Sequence, residues 1–314
     1  MSDLSKKEMR VVYGEVLNEL MVINPDVVCL EADLSKASGT NPSVAEANPA
    51  RFINAGVAEA NMIGMGAGLA IEGKIPFCAS FSCFATRRVY DQIYLSVAYA
   101  NTNVKIVGTA PGITQGPNGG THMDFQDLAI MRVMPNFHVY SPADPYELRS
   151  MMFHMAASKQ PTYMQLVRTQ VGQVFDEAYE FNPDKAVTLR EGSDVTLVTT
   201  GYMTQFAVNV ADELKAGGVS VEVLHYPSVK PFDEKTLLAS AQKTGGVVTV
   251  ENQSIIGGLG GAVCEVLSEK YPVKVKRLGI PDQFGEVATE NYLFNKHGFG
   301  PQHIAAACRE LANK

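Results

Sequence analysis

Apolar runs of strand length alternate with amphipathic helical stretches along this chain, and that alternation confines it to α/β architectures with largely parallel sheets. In the first half the strand candidates are Asp26 to Leu30, Arg51 to Ala55, Ile75 to Ser80, Val104 to Thr109, Phe137 to Tyr140 and Thr162 to Leu166. Between Lys6 and Ile23, residues Met9, Val12, Val16, Leu17, Leu20 and Met21 recur at helical spacing, and Pro25 ends that helix. Residues Val171 to Glu191 lose the β-branched runs and gain Asp, Glu, Asn182 and Pro183, the composition of a linker. Beyond it, Val195 to Thr199, Val219 to Leu224 and Val247 to Val250 read as strands, and Met203 to Ala216 and Leu259 to Lys270 as helices. The expectation is two α/β domains, residues 1–175 and 192–314, joined by a linker over 176–191. A chain of 314 residues is long enough for each to bury its own core.

A formal net charge of −7 with no long basic run argues against a nucleic-acid surface, which needs a clustered positive field. Small molecules or proteins are the expected partners. The five cysteines, Cys29, Cys78, Cys83, Cys264 and Cys308, form no Cys-x-x-Cys pair and no zinc spacing with histidine. They read as reduced, mostly buried thiols of a cytosolic protein. The start of the chain carries Lys6 and Lys7 with no apolar stretch behind them, so no secretory signal is expected. No apolar run approaches the ~20 residues of a membrane helix. A soluble, cytoplasmic protein is the expectation.

The most informative local stretch is Gly56-Val57-Ala58-Glu59-Ala60-Asn61-Met62, which runs from the strand candidate Arg51 to Ala55 into a small-residue helix, Met62 to Ile71. It sets one carboxylate at a strand-to-helix junction. Some twenty residues on, Phe81 and Phe84 offer two rings three apart, followed by Arg87, Arg88, Tyr90 and Asp91. A carboxylate with two rings can grip a flat heteroaromatic group. By itself each feature has a plainer reading: Glu59 can complement its helix dipole, and the phenylalanines can be ordinary core. Gly64-Met65-Gly66-Ala67-Gly68 reads as a tightly packed core helix rather than a ligand contact.

Taken together, Gly-Val-Ala-Glu, Ser80-Phe81 with Phe84, Gly119-Gly120-Thr121-His122 and Leu166-Val167-Arg168 resemble the pyrimidine-binding half of transketolases. The likeness is to the second subunit of split, two-chain transketolases, and it extends into the family's C-terminal domain through Val250-Glu251-Asn252-Gln253 and Gly257-Gly258-Leu259-Gly260-Gly261. The resemblance implies thiamine diphosphate as cofactor, working as an ylid. It assigns Glu59 to hydrogen-bond the aminopyrimidine, for which the carboxyl must hold or share a proton in a buried site. Phe81 and Phe84 match the rings that enclose the pyrimidine, and Asp33 an aspartate near the cofactor and substrate channel. His122 matches a histidine on the ketose hydroxyls. Arg10 and Arg168 match arginines that hold the distal phosphate, a task for planar guanidinium. Their plainer readings are a turn residue for Asp33, a loop hydrogen-bonder for His122, a solvated helix residue for Arg10 and an interdomain salt bridge for Arg168. The remaining histidines match no motif and read as structural or surface.

The chain has no Gly-Asp-Gly followed by a distant Asn, the family motif for Mg2+ and the diphosphate, and no P-loop lysine motif. The resemblance therefore implies half a cofactor site. An N-terminal transketolase subunit would supply the diphosphate and Mg2+ ligands, in a dimer of heterodimers. Gly257 to Gly261 lacks the Gly-x-Gly-x-x-Gly spacing and reads as a tight turn. Rival readings are the β subunit of a thiamine-dependent 2-oxoacid dehydrogenase, deoxyxylulose phosphate synthase, and a non-catalytic regulatory partner of the same fold. Thr121-His122, the phenylalanine pair and the two arginines favour ketol transfer on an anionic sugar. Typical relatives carry histidine at the position of Ala110 and an acid at that of Asn118. A substrate-binding role for Asn118 is expected to be retuned accordingly, towards a sulfonate or an unusual sugar phosphate.

Overall fold

The computed structural model describes residues 3–312, which form two sheets. The strands are β1 (Val27–Glu31), β2 (Phe52–Asn54), β3 (Ile75–Phe81), β4 (Lys105–Thr109), β5 (His138–Tyr140), β6 (Thr162–Leu166), β7 (Val187–Arg190), β8 (Val195–Thr199), β9 (Val221–His225), β10 (Ser228–Lys230), β11 (Gly246–Ser254) and β12 (Lys274–Ile280). The first sheet runs β10-β5-β6-β4-β3-β1-β2 and the second β12-β11-β8-β9-β7. All pairings are parallel except β10 with β5 and β7 with β9. β1, β4, β6, β8 and β9 are buried throughout, as strands covered by helices on both faces must be.

The helix Met9–Ile23 buries all six of its predicted apolar positions, against a methionine-rich face of the helix Pro145–Ala157. The helix Glu59–Ile71 begins three residues before the expected start, so Glu59 occupies its first turn. A Cβ on Gly66 would meet Cys78 Sγ at 2.7 Å, which is why a helix can lie this close to β3. Gly64 and Gly68 have nothing near them, so the tight packing expected of the whole glycine run holds for Gly66 alone.

The segment expected as a linker is tied down rather than loose. Backbone N–H groups of Val174 and Phe175 donate to Asp144 Oδ2 at 2.8 and 2.7 Å, and Tyr179 Oη donates to Glu147 Oε1 at 2.7 Å. Glu147 also pairs with the fully buried His225 of β9 at 2.8 Å. Its last residues form β7, a strand of the second sheet. Alternating burial and one irregular register step explain why composition did not reveal it. All five cysteines are free thiols, and no helix among the described residues is long and apolar enough to cross a membrane.

Candidate active site

The site forms where the carboxyl ends of β1 to β4 and β6 converge. β1 runs into Asp33, an exposed residue held at φ +62, a conformation aspartate tolerates better than most side chains. Asn54, at the end of β2, keeps it there. Its Oδ1 accepts the N–H of Asp33 and of Gly56, each at 3.0 Å, and its Nδ2 donates to Asp33 Oδ1 at 3.3 Å. Asn54 thus joins the Asp33 turn to the one that launches Glu59, a role that an Asn two residues before a turn glycine could have signalled.

Glu59 opens its helix behind Ala58, which supplies no side-chain cap. The carboxylate is 5% exposed, and Arg88 Nη1 donates to its Oε1 at 3.0 Å. The same guanidinium lies 3.9 Å from the centroid of the Phe84 ring. Phe81 ends β3 and Phe84 sits in the short helix Ser82–Ala85, and their rings stack at 6.0 Å and 30°. His122 meets both edge-on, at 6.2 and 5.3 Å. Its Nδ1 is 2.8 Å from Thr121 Oγ1, while Arg87 Nη2 donates to the Thr121 carbonyl at 3.0 Å. Instead of a carboxyl standing alone in a dry pocket, the chain holds Glu59 in an ion pair with a half-exposed arginine.

On the other side of Phe81, Arg168 lies 5.5 Å from the ring centroid. Arg10 joins it because the first helix starts beside the segment that leaves β6: the N–H of Arg10 donates to the Arg168 carbonyl at 3.4 Å. Burial and the Arg10 charge push the Arg168 pKa down. Its Nε is buried and has no hydrogen-bond partner among the described residues, whereas Arg10 Nε donates to Glu8 at 2.7 Å. Ala110, at φ +55 and buried, packs with Phe81 and Cys83. Asn118 ends the turn Gly112–Asn118 in the open and joins none of these contacts.

Buried acids underlie the cluster. Asp124 accepts from Thr86 Oγ1 at 2.7 Å, and Asp127 accepts from Tyr163 Oη at 2.7 Å and Gln165 Nε2 at 2.6 Å. Burial pushes both carboxyls up, and the charge of Asp124 adds to the rise at Asp127. Glu31, at the end of β1, is likewise driven to about 8 by burial, against the opposing hydrogen bonds of Thr40 at 2.7 Å and Ser38 at 3.3 Å. A cavity of about 370 Å³ opens beside Asp33, Leu34, Lys36 and Asn54. A larger surface groove of about 580 Å³ near Leu4, Tyr146 and Phe153 contains none of the site residues.

The second domain holds the loop that carries His122. Asn252 Oδ1 accepts the N–H of Ile113 at 3.1 Å and its Nδ2 donates to the Pro111 carbonyl at 3.2 Å, while Ala288 N–H donates to Gly116 at 3.2 Å.

Two family models match this chain: the transketolase pyrimidine binding domain over residues 5–173 and the transketolase C-terminal domain over 184–304. The chain is 47% identical over 311 residues to the 6-deoxy-6-sulfo-D-fructose transketolase subunit SqwH of Clostridium sp. (strain MSTE9), covering 99% of this chain and 96% of that protein. It is 32% identical to an apulose-4-phosphate transketolase subunit of Phocaeicola vulgatus, with 96% of each chain covered. A solved split gene transketolase, described as an inactive beta4 tetramer, superposes with a TM-score of 0.90 at 42% identity over 98% of each chain.

Proposed function

The chain belongs to the transketolase family, and from that premise we propose that it is the pyrimidine-binding subunit of a split, thiamine diphosphate-dependent enzyme that moves a two-carbon ketol unit from an anionic ketose to an aldose. One observation carries the reading: a planar N–H donor, the Arg88 guanidinium, already rests between the Glu59 carboxylate and the Phe84 ring. That geometry fits an aminopyrimidine. When bound, thiamine diphosphate supplies a nucleophilic thiazolium carbon that adds to the ketose carbonyl.

This chain's residues do the rest of the work in the half-site. Glu59 shares a proton with the facing pyrimidine nitrogen. Phe81 and Phe84 enclose the ring and keep water from that carboxyl, their packing contributing about 0.5–1.5 kcal/mol beyond area burial. His122, with Nδ1 engaged by Thr121, turns Nε2 towards the substrate hydroxyls. Asp33 borders the channel and Asn118 its outer rim. We assign the diphosphate and Mg2+ ligands to an N-terminal subunit, in a cytoplasmic dimer of heterodimers acting in carbohydrate metabolism. We place the domains at 1–175 and 192–314 about the 176–191 segment, whose strand β7 pairs with the second sheet. Without its partner the chain should be inactive.

For the anion we propose a sulfonate. The relative at 47% identity acts on a sulfo-sugar. Arg10 Nε is engaged by Glu8, the histidine of the wider pattern is Ala110, and Arg168 has a buried Nε without a partner among the described residues, so we assign the anion to Arg168. One guanidinium matches a singly charged sulfonate better than a phosphate carrying a charge of about −1.5 to −2. The test compares kcat/KM of the reconstituted complex on 6-deoxy-6-sulfo-fructose, fructose 6-phosphate, xylulose 5-phosphate and uncharged ketoses, with Arg168→Ala alongside. Preference for the sulfonate, lost in Arg168→Ala, is expected. Preference for the phosphates overturns the sulfonate assignment, and equal use of uncharged ketoses removes the anion site.

A further inference from the structure

We propose that Arg88 is an internal stand-in for the aminopyrimidine, holding the cofactor's seat until the cofactor displaces it. This rests on the reading of Glu59, Phe81 and Phe84 given above. A guanidinium is flat, delocalised and donates N–H in its own plane. Here it makes both contacts that an aminopyrimidine would need, a 3.0 Å hydrogen bond to Glu59 and a face-on approach to Phe84 at 3.9 Å.

The arrangement has a physical cause. Glu59 is nearly buried, and a buried carboxylate left without a partner is costly. Arg88 meets that need from the surface: its side chain is 47% exposed, so it can withdraw into water at small cost. The neighbouring Arg87 donates instead to the Thr121 carbonyl, so the two consecutive arginines have separate tasks. The consequence is a seat that pyrimidine enters in the isolated chain only by displacing Arg88. Cofactor entry must break the Arg88 contacts, and the diphosphate contacts made by the partner subunit offset that loss.

The experiment measures thiamine binding to this chain alone by calorimetry, since thiamine presents the aminopyrimidine without the diphosphate. Arg88→Ala should bind about tenfold more tightly than the native chain, equivalent to about 1.4 kcal/mol, and adding Glu59→Gln to it should abolish the gain. Arg88→Ser is read in the same way if Arg88→Ala does not fold. Binding by the Arg88 variant that is no tighter than native, undetectable binding by both included, overturns the stand-in. Calorimetry of the reconstituted native complex with thiamine diphosphate separates the two levels: binding there with no gain from Arg88→Ala refutes the stand-in alone. No binding there refutes the cofactor reading and the stand-in with it.

Discussion

Replacing Glu59 by glutamine separates a folding role for this carboxylate from a catalytic one, because the structure sets the two magnitudes far apart. In the folded chain Glu59 makes one polar side-chain contact, to an arginine that is 47% exposed. Glutamine fills the same volume, brings no charge that needs a buried partner and can still accept from Arg88 through its amide oxygen, so little stability is lost with the ion pair. Urea unfolding of the variant should therefore move by less than about 1 kcal/mol, with assembly unchanged by gel filtration. Turnover should respond on another scale. A positioned acid–base group contributes about 10²–10⁴ in rate, or about 2.7–5.5 kcal/mol in barrier height, and glutamine cannot share the proton. The substrate contacts proposed for His122 and Arg168 are untouched, so kcat should fall by at least about a hundredfold at nearly constant KM, the pattern of an interaction lost only in the transition state. Steady-state kinetics of the reconstituted complex decides it. A kcat within a few-fold of native refutes the role, and an unfolding loss above about 2 kcal/mol makes Glu59 structural instead.

Two further perturbations test the frame around the site. Asn252→Ala strips the buried N–H of Ile113 and the carbonyl of Pro111 of their partners; at about 1–3 kcal/mol per orphaned group it should destabilise the chain by about 2–6 kcal/mol and speed hydrogen exchange at Ile113, and unchanged exchange there refutes the pin. The folded-state pKa of Glu31 is raised from 4.5 to about 8, so its contribution to stability is complete below pH 4.5 and is lost as pH rises towards 8. Glu31→Gln, which keeps the Thr40 and Ser38 contacts, should flatten that decline in denaturant midpoints, and an unaltered slope between pH 5 and 8 overturns the assignment.

The fully buried strands were legible because apolar and β-branched residues dominate them: Thr162–Leu166 and Val195–Thr199 have the bounds expected of them, as does the helix Leu259–Lys270. What failed to show were elements stabilised by pairing rather than by patterning. β7 and β10 are three or four residues long and antiparallel, and β10 crosses from the second half of the chain to edge the first sheet. In the site, the ring pair and the carboxylate were legible as residue types at fixed spacing. The Arg88 contact, the Asn54 brace and the stacking of Arg168 on Phe81 were not, since each joins residues whose proximity depends on strand order. The burial of Glu59 was anticipated, its guanidinium partner was not.

The glycine run at 257–261 shows how the second domain serves a site to which it adds no member of the clustered side chains. Its turn wraps a buried carboxylate: Glu251 accepts the N–H of Leu259 at 2.8 Å and of Gly260 at 2.8 Å, and a Cβ on Gly258 would stand 2.0 Å from Glu251 Oε2. The donors that a dinucleotide-binding turn would offer to phosphate are therefore spent on the protein's own acid. Burial raises the Glu251 pKa to about 7 against the pull of these N–H groups. That fixed acid ends the straight part of β11, and the next residue, Asn252, projects into the first domain to hold Pro111 and Ile113. Ala110 and the loop to His122 flank those two residues, so the helix N-terminus in one domain sets the position of the histidine in the other. The fold's second half is thus a brace for the half-site, which gives a physical reason for both domains to occur in one chain while the diphosphate half is assigned to another.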